Sequence, residues 1–71
     1  MPKKIRELKQ MLKRAGYVQV PGGGKGSHSK WRHAHVARTI MLSGNDGDDA
    51  RKYQEKDVQS AVREAETGGE Q

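Results

Sequence analysis

The chain reads as a small α+β domain with the element order α-β-β-β-α, a three-stranded antiparallel sheet carrying both helices on one face. Three observations support that reading. Apolar residues recur at helical spacing near both ends, as Ile5, Leu8, Leu12 and Ala15 and again as Val58, Ala61, Val62 and Ala65. Between them lie three short β-rich stretches separated by turn-forming residues. Finally, 71 residues that are 31% hydrophobic and include no Phe can build only one domain with a thin core, so association with a partner is expected.

The first helix is expected over Lys3 to Arg14. Pro2 suits a helix start, and Gly16 suits the position just past its end, where the backbone turns left-handed. Tyr17-Val18-Gln19-Val20 is a short strand, stopped by Pro21 and the three glycines that follow. Ser27 to His35 and Ala37 to Leu42 form the second and third strands, joined by a tight hairpin near His35. In the third, Ile40 and Leu42 share one face and Thr39 and Met41 the other. Ser43 to Asp49 is a loop by every local signal, and the ordinary reading of its acidic run is a solvated turn. The last helix is expected over Gln54 to Glu66, making 1–66 the domain and 67–71 a flexible tail.

Charge is distributed unevenly. Residues 1–42 carry ten Lys or Arg against Glu7 alone, a balance of +9, whereas residues 43–71 carry four against eight acids, a balance of −4. A polyanion would therefore be met by the first part of the chain, with marked salt dependence. The absence of cysteine excludes disulfides and thiolate metal sites and fits a reducing cytoplasm. The longest apolar run, Ile40-Met41-Leu42, is far too short for a signal-peptide core or a membrane span, so no membrane role is expected.

The most informative stretch is Gly26-Ser27-His28, preceded by Pro21-Gly22-Gly23-Gly24-Lys25 and followed by Lys30-Trp31-Arg32. Glycines let backbone N–H groups close around an anion, and histidine is the side chain that titrates near neutral pH. Strand parity groups His28 with Lys30 and Arg32, and Ser29 with Trp31 and His33. Trp31 belongs against the helices, so His28 is expected on the open face beside two cations. Taken alone, a strand histidine is more often structural than catalytic; the glycine turn and the cations bring the two readings to parity. Zinc binding by His28, His33 and His35 is disfavoured, because an unbulged strand sends the first two to opposite faces and no Cys completes a set. The glycine run matches neither a Walker loop nor a dinucleotide fingerprint, and Asp46-Gly47-Asp48-Asp49 lacks the bidentate Glu of a calcium loop.

Taken together, Lys3-Lys4-Ile5-Arg6-Glu7-Leu8, Ala15-Gly16-Tyr17, Lys25-Gly26-Ser27-His28, Trp31-Arg32-His33 and Ile40-Met41-Leu42 resemble the HicA-type toxins over about residues 2 to 66. These are small mRNA interferases with a fold like that of double-stranded-RNA-binding domains. The resemblance implies an endoribonuclease toxin that cleaves mRNA with a single catalytic histidine, His28, and a HicB-type antitoxin that covers it. The turn before Gly26 is longer than the family's by about two glycines, and Ser43 to Asp49 replaces its Pro-x-His-Gly segment. RNA brings its own nucleophile in the 2′-hydroxyl, so His28 need only move a proton while cations hold the phosphate. Lys25, Gly26, Ser27, Lys30 and Arg32, with Lys3 and Lys4, are the expected RNA-binding residues. No metal or other cofactor is expected, and the free toxin is expected to be a cytoplasmic monomer. The alternative is a non-catalytic RNA-binding module on the same fold.

Overall fold

The computed structural model describes residues 2–21 and 28–68 of the chain. Its elements are α1 (Ile5–Arg14), β1 (Val18–Gln19), β2 (Ser29–His33), β3 (Val36–Leu42) and α2 (Lys52–Gly68), in the expected α-β-β-β-α order. The sheet is antiparallel with β2 in the centre. Its covered face and both helices share one core built from Ile5, Leu8 and Leu12 of α1, Trp31, Ile40 and Leu42 of the sheet, and Val58 and Ala61 of α2. Trp31 is 1% exposed, so it is a core residue and not a stacking platform. Its indole N–H donates to Ser29 Oγ at 3.0 Å, which satisfies both polar groups inside.

Helix α1 starts two residues later than its periodicity suggests because the chain before it is engaged elsewhere. Lys4 is extended and bridges Asp49, and the Ala50 N–H donates to the Lys3 carbonyl at 2.7 Å. The first N–H groups of the helix then find acceptors in the same loop: Ile5 donates to the Asp48 carbonyl at 2.9 Å and Arg6 to that of Asp46 at 3.2 Å. The Lys4 N–H is taken by the Glu7 carboxylate at 2.7 Å. At the other end Gly16 terminates the helix, as its place in the sequence predicts. It sits at φ +99°, Gly16 N–H donates to Lys13 and Tyr17 N–H to Leu12, the two bonds of a Schellman stop.

Several further boundaries differ from the expectation, β3 beginning one residue early at Val36 among them. Tyr17 leaves the first strand for the core, where its hydroxyl donates to the Ala61 carbonyl at 2.8 Å. His35 belongs to the turn and not to β2: Ala34-His35 closes the hairpin, and the ladder shifts register between Trp31 and His33. Helix α2 begins at Lys52, earlier than Gln54, because Gln54 is its third residue and accepts the Arg51 N–H at 2.9 Å. It also runs on through Thr67 and Gly68, into the stretch expected to be tail. The segment Ser43 to Asp49 is likewise no free solvated turn, since its backbone caps α1.

Candidate active site

His28 is exposed and immediately precedes β2, with the glycine turn that was expected to position it, including Lys25, Gly26 and Ser27, lying outside the described residues. The two strand cations are on the face opposite Trp31, Lys30 half-buried and paired across to Met41, Arg32 exposed and paired to Val18. His28 itself lines a polar cavity of about 330 Å³ together with Lys9 of α1, Gln19 of β1, Ser29 of β2, and Gly44, Asn45 and Asp46 of the loop. The topology thus gathers one imidazole, one ammonium, one carboxylate and two carboxamides. Lys30 and Arg32 do not line this cavity.

In the sequence Lys9 stands out only as one of the basic residues, Asp46 only as part of the acidic run, and Asn45 not at all. The Lys9 ammonium meets the Asp46 carboxylate at 2.7 Å across 37 positions of chain. That bond, and then the charge of Lys9, holds the Asp46 carboxyl below the ordinary carboxylate range; desolvation opposes them, and Arg6 and Lys13 add lesser contributions in the same direction as Lys9. The one signal available in advance was the spacing of Arg6, Lys9 and Lys13, which puts three cations on one side of α1. The loop that meets them could not be inferred from spacing. Gly44 fits there because its backbone is at φ +115° and a Cβ would stand 3.2 Å from Ile5 Cγ1.

The other expected cations are placed differently. Lys4 reaches Asp49 at 2.6 Å, and Lys3 serves through its backbone carbonyl. His33 is structural: its Nδ1 accepts the His35 N–H at 3.0 Å and its Nε2 faces the Ala15 carbonyl at 3.1 Å, which selects the Nε2–H tautomer. It braces the hairpin against the end of α1. Among the described residues no three His, Asp or Glu side chains converge as metal ligands.

Fold and site define a basic α+β domain with an exposed histidine at a polar cavity that also holds the Lys9–Asp46 ion pair. Residues 5–66 match the model of the family described as the HicA toxin of bacterial toxin-antitoxin systems. The chain belongs to that family, and so is a toxin whose partner is an antitoxin. Neither the comparison with curated proteins nor that with solved structures gave a match. Among the described residues no helix is long and apolar enough to cross a membrane.

Proposed function

We propose that this toxin is a cytoplasmic, metal-independent endoribonuclease that cuts mRNA with His28 as its essential proton-transfer group. The observation that carries the reading is the exposed His28 at a cavity whose walls bear the Lys9–Asp46 ion pair and two carboxamides, in a chain of the HicA toxin family. In the step envisaged, His28 takes the proton of a 2′-hydroxyl as the 2′-oxygen bonds to phosphorus. The P–O5′ bond breaks, its electron pair stays on the 5′-oxygen, and that oxygen takes up a proton from the imidazolium or from water. Cations beside the site offset the charge that builds on the phosphoryl oxygens. Lys25, Lys30 and Arg32 and the backbone around Gly26 are proposed to hold the strand, with Lys3 and Lys4 further out. A HicB-type antitoxin is proposed to cover His28.

The test is His28→Ala. An exposed residue outside any strand contributes little to packing, so the variant is expected to keep the circular dichroism and melting of the wild type. It should also lose RNA cleavage and growth arrest. An RNA with a 2′-deoxy substitution at the scissile position should bind and resist cutting. Undiminished cleavage by His28→Ala would remove His28 from its role. RNA binding without cleavage by the wild type would favour the non-catalytic module.

A further inference from the structure

Arg6, Lys9 and Lys13 occupy one side of α1, and Asp46 lies within the field of all three. The Lys9–Asp46 pair is asymmetric in a telling way. The Lys9 side chain is 23% exposed and so held by its stem, whereas that of Asp46 is 64% exposed and tethered by little beyond the pair itself. The loop does not depend on that carboxylate, because the Asp46 backbone carbonyl is fixed separately by the Arg6 N–H. Both side chains border the cavity that His28 lines. A carboxylate and a phosphodiester are both oxygen-bearing monoanions to which an ammonium donates alike. An exposed ion pair of this kind is weak enough for a polyanion to displace.

We propose that Lys9 binds a phosphate of the RNA at the cleavage site and that Asp46 is its resident counter-ion, which the incoming phosphate displaces. This rests on the nuclease reading of His28. It assigns the loop 43–49 two duties: its backbone caps α1, and one of its side chains occupies the phosphate position when RNA is absent. Asp46 then acts as a selectivity device, since weak anions do not remove it and a strand that also engages the remaining cations does.

The experiment measures binding of a 2′-deoxy-substituted RNA oligonucleotide across a salt series, with cleavage of the all-ribose strand and thermal melting alongside. Asp46→Asn is expected to bind two- to fivefold tighter at low salt, roughly the strength of one exposed pair. The charge-matched control Glu66→Gln, on exposed α2 surface, should not. Lys9→Gln is expected to lower the log–log salt slope by about 0.7, the share of one single-strand phosphate, and Lys9→Arg to restore it. Asp46→Asn binding no tighter than the control, or a slope indifferent to Lys9→Gln, overturns the proposal. If the wild type still cuts RNA and His28→Ala does not, the nuclease reading survives that result. A wild type that neither binds nor cuts RNA overturns both.

Discussion

Tyr17 exchanges a place in the edge strand for one in the core because its hydroxyl finds a partner there. The ring packs 5.0 Å from the His33 ring, centroid to centroid, and the hydroxyl donates to the Ala61 carbonyl of α2. Burial pushes its ionisation above the ordinary value near 10, Glu64 and Asp57 push the same way, and Arg38 opposes them. A raised value means that the fold prefers the neutral phenol. The stabilisation is therefore complete below the unfolded value and is lost as pH rises through the folded one. Tyr17→Phe is expected to lose about 1 kcal/mol at neutral pH, the net worth of one hydrogen bond. Above about pH 10 the gap between wild type and variant in urea denaturation should narrow. Parallel decline of the two proteins would mean that the phenol ionises freely in the folded state. At this scale the sequence was legible where one residue decides its own role, as with Trp31, whose size and parity put it in the core. It was not legible for Lys9, whose partner Asp46 is 37 positions away.

At the scale of elements, the ends of α1 carry most of what positions the site. Its C-terminal stop was visible in advance, because a glycine after a periodic apolar run has few other uses. The clamp at its N-terminus was not. Its bonds run mainly from backbone to backbone between Lys3 to Arg6 and Asp46 to Ala50, with the Lys4–Asp49 ion pair beside them, and local spacing announces none of them. The same holds for the register shift between Trp31 and His33, which arises from pairing and not from composition. Gly16 joins two elements at once: besides its positive φ, a Cβ there would stand 2.9 Å from His33 Nε2. Gly16→Ala therefore adds backbone strain and displaces the histidine that braces the β2–β3 turn. A loss of about 2 kcal/mol is expected, with a left-handed Ala alone accounting for roughly 1–2 kcal/mol. Chemical denaturation measures it, and a loss below about 0.5 kcal/mol would show that helix end and hairpin adjust independently.

For the whole molecule, the uneven charge of the sequence is partly folded away. The acidic second part supplies Asp46 to Lys9, Asp49 to Lys4, and Asp57 with Glu64 to Arg38, whose guanidinium holds its proton even more firmly for the two carboxylates it bonds. What remains prominent is the open sheet face. There Val18, 65% exposed, is paired with Arg32, and Met41, 54% exposed, with Lys30, so apolar and cationic residues alternate across three strands. Such a face suits a partner surface with apolar groups at its centre and acids around them. The core beneath is thin, its fully buried large side chains being Trp31, Ile5, Leu8, Leu12, Ile40, Leu42 and Val58, so a ligand of the native state has much to add. An antitoxin partner is therefore expected to cover that face together with His28, to raise the melting temperature in proportion to the logarithm of its concentration, and to block RNA cleavage. Met41→Glu, which places a charge at an already exposed site, should leave the free toxin folded and weaken the complex at least tenfold by isothermal titration, as loss of a buried anchor does. Equal affinity for Met41→Glu, or a complex that still cuts RNA, would place the antitoxin elsewhere and require inhibition by a route other than occlusion.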